Sequence, residues 1–254
     1  DGHSSWICVC GNCRAWDSAQ GAPWTYFWKG VQQEYVAMSD RYVTFWNLLA
    51  AQLKERFPGR EDLLVGAGAY GPSIPPPVGV RLAENTLLAF VGNFPGNRTM
   101  ERWQGQKEAL QGWAAKGARM IYRPNLFYVG GCSFGFPEIG LRETARDFRF
   151  LAENGCVGIT VDMPSETWGT MAPQYYLMGQ LAWNPWQDAD ALLADYYRRG
   201  FGPAAAPVGQ YWTLLEEAHE TLLAAPEYQL MLTGPWQQQI PVLFPRVFDA
   251  ALQD

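Results

Sequence analysis

The sequence predicts a mixed α/β chain: the carboxyl-terminal half of a TIM-like (β/α)8 barrel with four clear parallel strands, followed by a helical appendage. Three observations carry this. Short apolar runs recur at residues 63–70, 86–94, 119–127 and 156–163. Helix-period patterns separate several of them. Each run ends in polar or aromatic residues: Tyr70-Gly71-Pro72, Asn93-Phe94-Pro95, Arg123-Pro124-Asn125 and Asp162-Met163-Pro164. Prolines just past a strand stop the ladder and turn the chain.

In chain order, the first helix spans 35–57, with apolar positions Val43, Phe45, Trp46, Leu49, Ala50 and Leu53, and Pro58-Gly59 stops it. The strands at 63–70 (LLVGAGAY) and 86–94 (TLLAFVGNF) come next. They are apolar throughout rather than alternating, as expected where both faces are covered. A helix at 101–116 ends before Gly117, the strand at 119–127 follows, and a helix at 141–154 closes on Gly155. The run Val157-Gly158-Ile159-Thr160-Val161 then reads as a buried strand that stops at Asp162. Beyond Pro185 the pattern is helical. Residues 188–199 form an amphipathic helix with Asp188 as its N-cap, residues 203–224 add more helix, and 226–254 is broken by Pro235, Pro241 and Pro245. The domain reading is therefore a partial barrel over 1–185 and a helical region over 186–254.

A complete eight-stranded barrel takes about 250 residues. Four strands in residues 1–185 leave an open parallel edge, which is adhesive. The expected cover is a preceding barrel half or a second copy of the chain.

Composition narrows the function. Apolar residues make up 48% and charged residues 17%, so a sizeable core is within reach. Net charge is −6 and no basic patch stands out, which disfavours nucleic acid as a partner. No run approaches the length of a membrane span. Neither a G-x-G-x-x-G after a strand nor a P-loop occurs, so nucleotide binding is disfavoured and no cofactor is expected. Aromatics reach 15%, a level that suits sugar handling and equally a large aromatic core. Trp6, Trp16, Trp24 and Trp28 fall in a long first loop and read either as a sugar platform or as a satellite core.

The segment 155–185 carries the chemistry. Asp162 and Glu166 stand four residues apart just past a strand end, with Trp168 beside them. Glycoside hydrolysis needs one carboxylic acid to protonate the leaving oxygen and a second carboxylate as base or nucleophile, while an indole covers the apolar face of a pyranose. The alternative is structural: Glu166 in a helix first turn and Asp162 capping a turn. Asp1, with His3, stands where a barrel glycosidase often keeps an acid, and is a further catalytic candidate. Arg98 and Arg123 are placed to hold a carboxylate ionised or to grip an acidic sugar. Tyr70, Asn93 and Asn125 complete the predicted rim, and no metal is assigned to it. With two histidines in the chain, a multi-histidine site is disfavoured, and His219 receives no role.

Five cysteines are an odd number, and Cys8, Cys10 and Cys13 cluster as C-x-C-x-x-C apart from Cys132 and Cys156. Structural thiols or a disulfide, a metal knuckle with His3 as fourth ligand, and a redox role all stay open.

The run GITVDMPSETWG…YYLMGQLAWNP, followed by D-x-D-x-L-L-x-D-Y-Y-x-R-x-F-G-P-A-A-x-P-V-x-x-Y, resembles a bacterial family of glycosidase-like barrels catalogued as a domain of unknown function (DUF4838 type). The cysteine motif looks like that family's own. The resemblance extends from Asp1 to about Tyr211. It implies kinship with α-glucuronidase-like and hexosaminidase-like barrels, four further strands ahead of Asp1, and a secreted or periplasmic protein acting on glycans. The functional expectation is a glycoside hydrolase or part of one. The alternatives are a glycan-binding barrel without turnover and a scaffold stabilised by metal at the cysteine cluster.

Overall fold

Where the chain must run parallel strands side by side, it uses one long helix to fix the connection between the first two. The computed structural model describes residues 8, 10–28, 31–92, 100–124, 139–161 and 168–224. These fall into two compact units. One lies within Asp1–Gly92, Gly105–Arg123 and Glu153–Thr160, the other within Asn93–Gln104, Pro124–Ala152 and Val161–Asp254.

The first unit starts with a single turn, α1 (Gly11–Arg14), and a hairpin of β1 (Pro23–Trp28) and β2 (Val31–Val36), registered from Pro23↔Val36 to Trp28↔Val31. The expected long loop is thus a hairpin, and the helix predicted from residue 35 begins at Ser39. The run PWTYFW is rich in aromatic and β-branched residues, which favour a pleated surface over a loop. Trp16 is exposed and Trp24 half-buried, so these two rings do not form a closed core.

Helix α2 (Ser39–Arg56) buries Val43, Trp46 and Ala50 and turns Phe45 and Leu49 outward. It packs on β3 (Val65–Ala69) and β4 (Thr86–Gly92). These strands pair in parallel with Val65 opposite Thr86 and Ala69 opposite Phe90. A single 3-10 turn (Gly71–Ser73) but no α-helix separates them, because Pro75, Pro76 and Pro77 cannot supply helical N–H groups. The polar residues of α2 hold the intervening loop instead. Ser39 Oγ donates to the Pro75 carbonyl. The buried Asp40 carboxylate accepts from Val78 N (2.9 Å) and Gly79 N (2.6 Å). Asn47 bonds both Arg81 O and Ala83 N at 2.8 Å, and Asn85 Nδ2 donates to Ala50 O at 3.0 Å. From the other side, Trp113 Nε1 donates to Ile74 O at 2.9 Å.

Helix α3 (Met100–Ala115) carries Trp113 and leads to β5 (Arg119–Pro124), and β6 (Cys156–Ile159) completes a sheet of order β3-β4-β5-β6. The strands are shorter than the apolar runs that predicted them. Alternation now separates two faces. Ala67, Ala69, Leu88, Phe90, Met120 and Tyr122 share one face and are buried, with the Phe90 and Tyr122 rings stacked 6.4 Å apart. A methyl group on Gly155 would meet Met120 Cε at 3.7 Å and Ala114 Cβ of α3 at 3.9 Å, so this face is the helix-covered one. On the opposite face Gly66 is exposed, and Leu87, Ala89, Ile121 and Arg123 are half-buried. Strand β6 is a sheet edge with Val157 57% exposed, not the buried strand expected from its composition. With a neighbour on one side only among the described residues, its apolar residues stay accessible.

The described residues of the second unit are mainly helical: α4 (Leu141–Glu153), α5 (Trp168–Trp183), α6 (Ala189–Phe201) and α7 (Ala205–Ala224). Asp188 caps α6 as predicted, accepting from Asp190 N (3.0 Å) and Ala191 N (3.2 Å). Tyr176 of α5 packs on Tyr196 of α6 with centroids 4.8 Å apart. The start of α4 is held by other helices. Gln174 Oε1 accepts from Gly140 N (3.2 Å), Glu216 Oε1 accepts from Arg142 N (2.8 Å), and His219 Nδ1–H donates to Ile139 O (2.8 Å). Gln174, Glu216 and His219 are all buried, which gives His219 a structural role the sequence did not disclose. No helix of the described residues is long and apolar enough to cross a membrane. Residues 226–254 lie outside the described residues.

Two outcomes follow from this packing. A Cβ on Gly92 would stand 2.6 Å from Tyr122 Oη, whereas one on Gly68 would meet nothing within 4 Å. Gly92→Ala should lower unfolding free energy by about 1–3 kcal/mol through overpacking. Gly68→Ala should be neutral or stabilising by up to about 1 kcal/mol, because alanine has less backbone freedom to lose. Denaturant titration of both variants checks the contrast. Burial raises the Glu216 pKa above the ordinary carboxyl value, partly opposed by the Arg142 backbone N–H and guanidinium. The folded state therefore binds the proton more tightly than the unfolded state, and this group's contribution weakens as pH rises through the folded pKa. Glu216→Gln keeps an acceptor for Arg142 N without the charge. Its melting temperature, relative to the parent protein, should rise as pH increases above the ordinary glutamate value of about 4.3. A difference that stays constant as pH rises above that value would contradict the assignment.

Candidate functional site

Two places in the first unit bring chemistry-bearing residues together. The first is the carboxyl edge of the parallel sheet. Tyr70 follows β3 in extended conformation (φ −149°, ψ 144°), which continues the alternation and sets its ring on the face opposite the helices. Its backbone is fixed by buried Ser73. Ser73 Oγ accepts from Tyr70 N at 3.1 Å and donates to Tyr70 O at 3.0 Å, and Ser73 N donates to the same carbonyl at 3.2 Å. The ring is 45% exposed. Arg123, near the end of β5, alternates with buried Tyr122 and Pro124 and lies on that same opposite face, half-buried. The structure thus places these two predicted rim residues at one edge and on one face. Tyr122, beside Arg123, belongs to the core.

Thr160 extends β6 by donating its N–H to Tyr122 O at 3.0 Å, and Val161 ends the described stretch. Asp162 and Glu166 follow directly in sequence and lie outside the described residues, as do Asp1, His3, Asn93, Arg98 and Asn125. Trp168 opens α5, and its side chain is also outside them. At the opposite, amino-terminal end of β3, β4 and β5 is a cavity of about 470 Å³, lined by Leu53, Phe57, Leu64, Glu84, Asn85 and Arg119 among others. It is separate from the predicted rim.

The second place is the cysteine cluster. The sulfurs of Cys8, Cys10 and Cys13 all lie within 4.8 Å of one another, and the three thiols are free, as is Cys156. The spacing explains the convergence: Arg14 N donates to Cys10 O at 3.0 Å, so residues 10–14 form one helical turn that returns Cys13 to the side of Cys10. The Cys13 backbone N–H, then the Cys8 and Cys13 thiols, hold the Cys10 thiol down to about 7. Hydrogen bonding to Cys8 and Cys10 pushes Cys13 up to about 11. Burial alone pushes Cys156 up to about 12, which leaves it a poor nucleophile at neutral pH.

A polar clamp that the sequence did not announce braces this turn. Arg41 Nη1 donates to Cys8 O at 2.7 Å, and Arg41 Nε donates to Asp17 Oδ1 at 2.8 Å. Its Nη2 closes a bidentate pair on Asp17 Oδ2, which also accepts from Tyr35 Oη at 2.6 Å. Arg14 stands over the Tyr35 ring, 5.8 Å from its centroid. Asp17, Tyr35 and Arg41 come from three separate segments, so no local spacing could have disclosed them.

No curated protein and no solved structure matches the chain. A family model matches residues 3–213, the same stretch that holds the cysteine turn, the parallel sheet and helices α2 to α6. The chain belongs to the family described as a domain of unknown function, DUF4838.

Proposed function

We propose that this chain is part of a glycoside hydrolase whose site lies at the carboxyl ends of β3 to β6. The observation that carries the reading is the parallel sheet itself, with Tyr70 and Arg123 on one face of its carboxyl edge. In parallel α/β folds that edge is where ligands bind. An exposed ring and a half-buried cation are suited to an acidic sugar: the ring covers a pyranose face, and a guanidinium can pair with a carboxylate through two parallel hydrogen bonds. A Cβ on Gly66 or Gly68 of β3 would meet nothing within 4 Å, which leaves room on that face for a ligand or for strands that complete a barrel.

In this reading Asp162 and Glu166 supply the acid and the base or nucleophile, with Asp1 as a further acid. One carboxylic acid gives its proton to the glycosidic oxygen as the C–O bond breaks. The second carboxylate either takes a proton from the attacking water or bonds to the anomeric carbon. Asn93, Arg98, Asn125, His3 and Trp168 join Tyr70 and Arg123 in binding the glycan. A preceding barrel half or a second copy covers the open sheet edge, and the protein works outside the cytoplasm of a bacterium.

The test is turnover of aryl glycosides, including uronic and sialic acid glycosides. Asp162→Asn and Glu166→Gln should each lower kcat by about 100-fold or more, the usual size of a general acid or base contribution. Arg123→Ala should chiefly raise KM for acidic substrates. Full turnover in both carboxylate variants would overturn the assignment. Glycan binding without turnover in the parent protein would convert the reading to a binding barrel.

A further inference from the structure

We infer that Cys8, Cys10 and Cys13 form a zinc site of three thiolates, independent of the glycan chemistry proposed for the sheet edge. Four features of the first unit lead there.

The first is spacing. Sulfurs bound at about 2.3 Å around one tetrahedral zinc sit about 3.8 Å apart. The three sulfurs already lie within 4.8 Å of one another as free thiols, so closure onto an ion requires small rotamer adjustments rather than backbone movement. The second is the donor set. Three sulfurs select thiophilic ions over calcium and magnesium, which take oxygen ligands. The carboxylate of the clamp, Asp17, is engaged by Arg41 and Tyr35. Common iron–sulfur clusters take four cysteines, and the described cluster offers three. Zinc accepts three protein ligands with water or one further group in the fourth position.

The third feature is preorganisation. The helical turn fixes Cys10 against Cys13 through the Arg14 N to Cys10 O bond. Arg41 fixes Cys8 by its carbonyl and is itself held by both oxygens of Asp17. Such backing of ligand segments typically changes metal affinity by 10- to 100-fold. The fourth is access: Cys8 and Cys10 are exposed and Cys13 is half-buried, so an ion reaches the sulfurs from solution.

Cobalt(II) reads this site directly. Titrating the reduced protein under anaerobic conditions should give a thiolate-to-cobalt charge-transfer band that saturates at one equivalent, and zinc should bleach it. Cys10→Ser or Cys13→Ser should abolish the band or weaken zinc binding by about 100-fold or more, while Cys156→Ser should leave it unchanged. Arg41→Ala should weaken zinc binding by about 10-fold while keeping the band, because it loosens Cys8 without removing a ligand. Circular dichroism of each variant separates loss of binding from loss of fold. Absence of a charge-transfer band in the folded, fully reduced parent protein would overturn the inference, as would a band that survives Cys10→Ser and Cys13→Ser unchanged. Glycosidase assays play no part in the readout, so failure of either proposal leaves the other standing.

Discussion

The first unit depends on the placement of one buried carboxylate. Asp40 enters the first turn of α2, where a negative charge suits the helix dipole, and spends its oxygens on the backbone N–H groups of Val78 and Gly79. The connection between β3 and β4 has no α-helix of its own, only a 3-10 turn and then three prolines in a row. Such a segment carries backbone groups that must find partners elsewhere. Helix α2 provides them through Ser39, Asp40 and Asn47, while Trp113 of α3 takes the Ile74 carbonyl. Two adjacent parallel strands are thereby joined through side chains rather than through a crossover helix.

That solution leaves a sheet with unlike faces. The helix-covered face is close-packed around Phe90, Met120 and Tyr122, and Gly92 is the residue that lets the Tyr122 ring lie against β4. The other face is only half covered and opens at Gly66 and Gly68. The covered face fixes the strand ends, and the opposite face presents Tyr70 and Arg123 from them. In the second unit, buried Gln174, Glu216 and His219 satisfy the start of α4 from neighbouring helices, so its order rests on tertiary contacts more than on local propensity.

Strand runs and helix periods were legible in the sequence because apolar spacing reports burial directly. The parallel sheet, α2 to α4 and the Asp188 cap follow from it. The hairpin at 23–36 was not legible, since its aromatic residues match a platform, a core or a strand equally well. The direction of Phe45 and Leu49 escaped because several apolar residues of α2 compete for one buried stripe. Hydrophobic content also overstated the burial of β6, where position at the edge outweighs composition. For the site, strand punctuation led to Tyr70 and Arg123, and the cysteine spacing led to the convergent thiols. The Asp17–Tyr35–Arg41 clamp joins distant segments, and charge pairing at that range leaves no periodic trace.

The first residues of α2 and the residue just before them serve two neighbourhoods at once. Arg41 grips the Cys8 carbonyl, Asp40 and Ser39 hold the loop after β3, and Met38 N bonds the Pro72 carbonyl at 2.8 Å, two residues beyond Tyr70. Four consecutive residues therefore act as a rivet through both. The cysteine turn and the chain that follows the exposed tyrosine thus share a single anchoring stretch, though they are far apart in sequence.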